Sequence, residues 1–305
     1  MKSIDIKIGF QCNNHCRFCI QEGKREIYPQ KTTKEIQIIL KKSRRLAERV
    51  IFTGGEPSFN PEKLLEFIKY AKDLDYKEIQ IQSNGRIFSY KDYCREAITA
   101  GANQFALAVH GSNSRIHDYL TMVPGSWNQT IKGIKNLKSL NGHIITNSVI
   151  TKVNYKDLPF LARLLVNLKV RQFQFAFMHI NHNIVSYQNR IKEIVPRYKE
   201  IEFYVKKGLQ IGIDAKINVM TEAIPYCFMR GYENFIAEKN IPDVHIFDAT
   251  FEIENYTRHR KIKGKTKGLN CKKCKYFKFC EGPWREYPEI FGWNEFKPII
   301  NKQCH

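Results

Sequence analysis

Six short apolar, β-branched runs alternate with helical patterns through the first 180 residues, with little chain left over. They lie at 4–10, 49–53, 78–83, 104–110, 143–151 and 171–178. The patterns between them have recognisable helix starts. Thr32 and Glu35 have capping-box spacing, as do Ser126 and Gln129, and Asn60 before Pro61 reads as N-cap followed by first helical residue. Leu64, Ile68 and Ala71 then fall on one face, as do Ile131, Ile134 and Leu137, and as do Leu158, Leu161, Leu165 and Leu168. Such alternation builds right-handed βαβ units on a parallel sheet. Six units are too few to close an eight-stranded barrel, so an α/β fold with an open or partial barrel is expected. Chemistry should then sit at the carboxyl ends of the strands. Beyond this, 187–209 reads as helix interrupted by Pro196, 210–218 reads as strand, and periodicity weakens after Cys227. The expected division is a barrel with its connecting segment over 1–220 and a small, irregular C-terminal domain over 221–305.

Two of the strand-end loops are chemically loaded. The first run leads into Cys12-Asn13-Asn14-His15-Cys16-Arg17-Phe18-Cys19, and the second into Gly54-Gly55-Glu56-Pro57. The chain has nine cysteines and opens directly into a strand pattern with no apolar signal core. A cytoplasmic location is therefore expected, and clustered cysteines there point to metal rather than to disulfides. Three thiolates suit a [4Fe–4S] cluster with one iron left open, whereas structural zinc wants four protein ligands. His15 lies between two ligating positions and would reach the same ion awkwardly. A second group, Cys271-x2-Cys274-x5-Cys280 followed by Cys304, has spacing that serves a zinc ribbon or an iron–sulfur cluster. Cys94 has no partner at ligand spacing and reads as a packing residue.

The Cys12-x3-Cys16-x2-Cys19 motif, with Phe18 before its last cysteine, resembles that of the radical S-adenosylmethionine (radical SAM) enzymes. Gly54-Gly55-Glu56-Pro57 resembles the same family's second signature. The resemblance covers residues 1–180 and implies a partial (β/α)6 barrel. It implies that Cys12, Cys16 and Cys19 hold a [4Fe–4S] cluster whose open iron binds SAM. An electron from a donor such as flavodoxin or ferredoxin then breaks the sulfonium C–S bond. The 5′-deoxyadenosyl radical so formed takes hydrogen from the substrate. On the same resemblance Gly54, Gly55 and Glu56 meet the methionyl ammonium, Pro57 shapes the turn, and Phe18 lies near the adenine. Ser83 and Asn84 resemble the family's turn after the third strand. His110 and Asn154, ending the fourth and fifth strands, are further candidates for SAM or substrate; each reads equally as a satisfied turn or core residue.

The C-terminal cysteines resemble the SPASM or shortened "twitch" extensions, which implies an auxiliary [4Fe–4S] cluster on Cys271, Cys274 and Cys280. Trp284 stands where the fuller pattern has a cysteine, so one auxiliary cluster is expected rather than two. Two residues compete for the fourth ligand. The SPASM pattern favours Cys304, and shortened versions borrow an upstream cysteine, here Cys227.

Fifty Lys+Arg against thirty Asp+Glu give +20, with ten of the basic residues in 258–278. That charge suits anionic partners, or simply a solvated face that also offsets the charge of a cluster. The interleaved aromatics Tyr276, Phe277, Phe279, Trp284, Tyr287, Phe291 and Trp293 read as a small core, with base stacking as the alternative. No run reaches the ~18 apolar residues of a membrane span, so no membrane partner is expected. The leading expectation is a radical SAM enzyme acting on a peptide or protein. RNA modification is the alternative, and a non-catalytic, zinc-bearing RNA-binding protein is the third reading.

Overall fold

A computed structural model describes residues 2–180 and 191–300. Six parallel strands follow one another in chain order: β1 (Ser3–Gly9), β2 (Arg49–Gly54), β3 (Glu78–Ser83), β4 (Gln104–Ala108), β5 (Ile144–Ile150) and β6 (Gln172–Phe177). Strand β7 (Asn218–Glu222) continues the sheet beyond β6. The chain then returns to the other edge, where β8 (Val244–Phe247) pairs parallel with β1 and β9 (Glu252–Ile253) pairs antiparallel with β8. The alternation that marks six strands in the sequence thus forms the centre of a nine-stranded sheet.

Strand register separates the two faces. The cross-strand row Ile4, Val50 and Ile79 and the next row, Ile6, Phe52, Ile81 and Phe105, are all buried. Phe173 and Phe175 continue that face on β6. Burial of each such side chain contributes roughly 2 kcal/mol, and together they hold the helices to the sheet. The opposite, inner face is mixed: Asp5, Lys7, Thr53, Asn147, Gln174 and Glu222 share it with Ile51, Ala106, Ile145, Val149 and Met220. There the Lys7 ammonium donates to Asp5 at 3.0 Å and to Thr53 at 2.8 Å, and Gln174 donates to Glu222 at 2.6 Å.

The longer helices among the described residues are α1 (Thr33–Ser43), α2 (Pro61–Asp73), α3 (Lys91–Ala100), α4 (Ser114–Thr121), α5 (Ser126–Ser139), α6 (Leu158–Asn167) and α7 (Tyr198–Asp214). Thr32 and Glu35 form the expected capping box, and Asn60 caps α2 ahead of Pro61. Helix α5 begins differently from its pattern: Gly125 is the N-cap. The Asp118 carboxylate, reaching over from α4, takes hydrogen bonds from the backbone of Gly125 and Trp127 and from the Ser126 hydroxyl. A side chain distant in the helix pattern thus replaces the local box. The strand read over 210–218 is instead the end of α7, and β7 starts only at Asn218. Gly212, inside that stretch, weakens its helix signal, and Gly208 lies one turn before it. A Cβ at Gly208 would lie 2.7 Å from the Phe175 ring, and one at Gly212 would lie 2.6 Å from Phe173. These glycines lower helix propensity but let α7 lie close against β6. Among the described residues no helix is long and apolar enough to cross a membrane.

Candidate active site and cysteine clusters

The loops after β1 and β2 are joined backbone to backbone. Gly55 N–H donates to Gly9 C=O at 2.9 Å and Glu56 N–H to Gln11 C=O at 2.8 Å. Only glycine permits this approach: a Cβ on Gly55 would fall 2.2 Å from the Phe10 carbonyl oxygen, and Gly54 sits at φ +130°. The buried Pro57 opens a short 3-10 turn over Pro57–Phe59. Glu56 is buried, and four donors surround its carboxylate. Oε1 accepts from Ser58 N–H, the Ser58 hydroxyl and the Ser83 hydroxyl, the last at 2.8 Å; Oε2 accepts from Asn84 N–H at 2.7 Å. Burial pushes its carboxyl above the ordinary range, against the pull of those hydrogen bonds. Glu56 therefore ties the end of β2 to the turn after β3.

That turn in turn holds the cysteine loop. Asn84 Nδ2 donates to Asn13 Oδ1 at 2.6 Å and lies 4.0 Å from Cys12 Sγ. Arg86 donates to Asn13 C=O and, at 3.0 Å, to Asn14 Oδ1. From the other side Arg25 donates to Asn14 C=O at 2.8 Å, meets His15 Nδ1 at 3.2 Å, and lies 4.0 Å from Cys19 Sγ. Asn14 N–H points at Cys12 Sγ at 3.3 Å. Burial pushes the Cys12 and Cys16 thiols up, the neighbouring thiols push them further, and the Arg25 guanidinium pulls them back. Three neighbouring thiols with N–H and guanidinium donors aimed at them fit the donor set of a thiolate-held cluster. Arg25 and Arg86 escape sequence reading because arginines in a basic chain carry no spacing signal.

Phe18 is buried, edge-on to His110 with ring centroids 4.7 Å apart. The His110 ring stacks on His117 at 5.7 Å, and the backbone N–H of His110 donates to His117 Nδ1. Burial holds both imidazoles well below their usual range, His117 to about 4, so both are neutral at neutral pH. Asn154 is fully engaged within the chain. Its NH₂ donates to the carbonyls of His110 and Val149, and its oxygen accepts from Thr151 N–H and hydroxyl. It latches the ends of β4 and β5 together. Cys94 is buried, its thiol 3.1 Å from the Phe88 carbonyl.

At the C-terminal end, Cys227, Cys271, Cys274 and Cys280 line one cavity. Burial raises the Cys227 thiol, followed by the thiols of Cys280, Cys271 and Cys274. Backbone N–H groups again point at sulfur, Gly282 at Cys280 (3.3 Å) and Ile299 at Cys274 (3.4 Å). Among the described residues no three His, Cys, Asp or Glu side chains converge closely enough for a single metal ion. Four thiols around a common cavity match the donor set of a thiolate-held cluster and equally that of tetrahedral zinc. Cys304 lies outside the described residues.

The basic stretch divides. Arg260 and Lys265 are buried: Arg260 makes a two-pronged ion pair with Glu281 at 2.7 and 2.9 Å, and Lys265 sits 3.7 Å over the Trp284 ring, 4.0 Å from Glu238. The other eight cations are exposed. Trp284 and Tyr287 are core, while Phe279 stands 68% exposed.

A family model described as the Radical SAM superfamily matches residues 6–165. An AdoMet-dependent heme synthase of Oleidesulfovibrio alaskensis is 27% identical over 159 residues, 52% of this chain and 40% of that protein. A probable GTP 3′,8-cyclase of Sulfurisphaera tokodaii is 23% identical over 205 residues, 66% of this chain and 64% of its own. The chain thus spans only part of the length of these curated relatives. Among solved structures, Streptococcus suis SuiB bound to precursor peptide SuiA has a TM-score of 0.67 at 17% identity, covering 99% of this chain and 75% of SuiB. Native anSMEcpe with bound AdoMet and Kp18Cys peptide has a TM-score of 0.69 at 14% identity, covering 99% and 91%. At such identities the likeness is one of fold, and it extends through the cysteine-rich end.

Proposed function

The chain belongs to the Radical SAM superfamily, and on that premise we propose that it abstracts hydrogen from a residue of a peptide or protein. Membership in an enzyme superfamily removes the reading of a non-catalytic zinc protein. A [4Fe–4S] cluster with SAM supplies, for one electron, a 5′-deoxyadenosyl radical. In this proposal Cys12, Cys16 and Cys19 hold that cluster, and Arg25, Arg86 and Asn84 hold their loop in shape. The backbone of Gly54, Gly55 and Glu56 receives the methionyl group, with Pro57, Ser83 and Asn84 fixing the turns beside it. Phe18 and His110 offer an apolar, uncharged wall. Asn154, its amide fully used, positions the β4 and β5 ends. The segment 221–305 carries one auxiliary [4Fe–4S] cluster on Cys227, Cys271, Cys274 and Cys280.

The peptide reading rests on one observation. The fold likeness to proteins solved with peptides runs over 99% of the chain and includes the cysteine-rich end. RNA is the second reading, favoured by the +20 charge and eight exposed cations. The test begins with anaerobically reconstituted, reduced protein. It should contain about eight irons and release 5′-deoxyadenosine and methionine from SAM, and the Cys16→Ala variant should release neither. One equivalent of zinc beside about four irons would overturn the auxiliary cluster. Incubation with deuterated peptide and deuterated RNA fractions then separates the substrate classes: deuterium should enter 5′-deoxyadenosine from the peptides, and transfer from RNA alone would reverse the choice.

A further inference from the structure

We propose that the lysine face over the C-terminal cysteine cavity docks an acidic, one-electron carrier protein. This rests on the reading that Cys227, Cys271, Cys274 and Cys280 hold a cluster. No acidic residue occurs between Glu254 and Glu281. Lys267, Lys272, Lys273, Lys275 and Lys278 are exposed, and none forms an ion pair with a described residue. The cations of this stretch that do find carboxylates, Arg260 and Lys265, are the buried ones. Among the described residues no carboxylate pairs with this charge where a partner can reach it. Apolar tips stand among the lysines, with Leu269 84% and Phe279 68% exposed. Lys267 and Phe277 line the cysteine cavity itself, the ammonium 4.5 Å above the ring.

Long-range charge attracts an acidic partner and raises its on-rate, while a few apolar contacts orient it. Transient redox encounters use small interfaces of this kind. The placement favours a carrier over RNA. Lys272 and Lys273 lie between Cys271 and Cys274, and Lys278 lies two residues before Cys280. By chain reach, anything held by these ammoniums lies within about 10 Å of the thiols. A nucleic acid gains nothing from that proximity, whereas electron transfer needs it. At each docking one electron leaves the reduced carrier and enters the protein; no atom or proton moves. One such electron is needed for each SAM cleaved.

The test uses the iron-loaded protein, a purified acidic flavodoxin and a short single-stranded RNA as labelled probes. Flavodoxin should bind at low salt and lose at least tenfold in affinity over a roughly tenfold rise in salt. The triple variant Lys272→Glu/Lys275→Glu/Lys278→Glu should weaken binding at least tenfold, and the matching triple Gln variant should fall between. The ratio of flavodoxin-driven to dithionite-driven SAM cleavage should drop in the same order. Iron content and circular dichroism report whether each variant is folded. Binding or rate ratios indifferent to charge reversal would overturn the docking face. So would RNA binding tighter than flavodoxin and lost in the variants. Failure of dithionite itself to drive cleavage in the unmodified protein would instead strike the functional reading beneath it.

Discussion

Glu56 separates two accounts of the Gly-Gly-Glu-Pro turn: a charge reserved for SAM, or a strut that shapes the site. Glu56→Gln keeps the shape and removes the charge. The carboxylate accepts from two backbone N–H groups, Ser58 at 3.0 Å and Asn84 at 2.7 Å, and from two serine hydroxyls. Hydroxyls can rotate toward an amide, but backbone N–H groups cannot. A glutamine has one carbonyl oxygen, so one of the two N–H groups must face its NH₂. A buried N–H without an acceptor costs about 1–3 kcal/mol, and lost charge assistance on the remaining bonds adds about 1 kcal/mol. Relief of the carboxylate's desolvation, the cause of its raised pKa, offsets part of this. The net is about 2 kcal/mol, or roughly 3 °C in Tm for a chain of this size. Glu56→Ala, losing all four bonds, should cost about 4 kcal/mol. The assay is thermal and urea unfolding of reconstituted, SAM-free protein, with SAM affinity measured in parallel. Unchanged SAM-free stability in Glu56→Gln, with SAM affinity reduced tenfold or more, would refute the strut argument.

Cys227→Ala should abolish the auxiliary cluster's spectrum and remove up to about four irons, and Cys304→Ala should leave both; iron analysis and electron paramagnetic resonance decide. Gly55→Ala places a Cβ 2.2 Å from the Phe10 carbonyl, so the loops after β1 and β2 must part; iron should fall to about four per chain and SAM cleavage should be lost. Arg25→Gln removes the guanidinium 4.0 Å from Cys19 Sγ, and the N-terminal cluster's reduction potential should fall by on the order of 50 mV, since a nearby cation favours the added electron; a redox titration checks it. The folded-state pKa of His117 is lowered to about 4, so below pH ~6.5 the unfolded chain binds more protons. His117 should therefore contribute a drop in stability of up to about 3 kcal/mol as pH falls from ~6.5 toward 4, and His117→Asn, which can keep an acceptor for the His110 backbone N–H, should remove that share in urea unfolding and leave the part due to the buried His110.

What was legible in the sequence was what the chain encodes locally. Strands β1 to β6 announce themselves because each packs one apolar face on helices and the pattern repeats six times. The Cys12–Cys19 spacing and the Gly54-Gly55 pair are equally local, and the structure brings them together through the Gly9 and Gln11 carbonyls. Strand β8 is invisible because four residues joining β1 from across the chain carry no period. The true cap of α5 is hidden for a related reason: Asp118 acts from the preceding helix, and only the turn between them puts it there. Reading 210–218 as strand fails because the close helix–sheet contact demands a glycine at Gly212, which a propensity argument counts against a helix.

Cys227 shows the same boundary within a single site. Cys271, Cys274 and Cys280 are near enough in the chain that spacing alone groups them, and all three line one cavity with Cys227. The fourth thiol has no such constraint, because chain reach allows both an upstream and a terminal cysteine. Its placement follows from β7: the strand ends at Glu222, and Pro225 starts the 3-10 turn Tyr226–Phe228 that carries Cys227. Burial of Tyr226 and Phe228 on either side fixes that turn, and Tyr226 packs on Tyr276 with centroids 4.6 Å apart. That contact joins the turn to the segment bearing the other three thiols. The apolar residues around Cys227, which carry no ligand signature of their own, are thus what bring its thiol to the cavity.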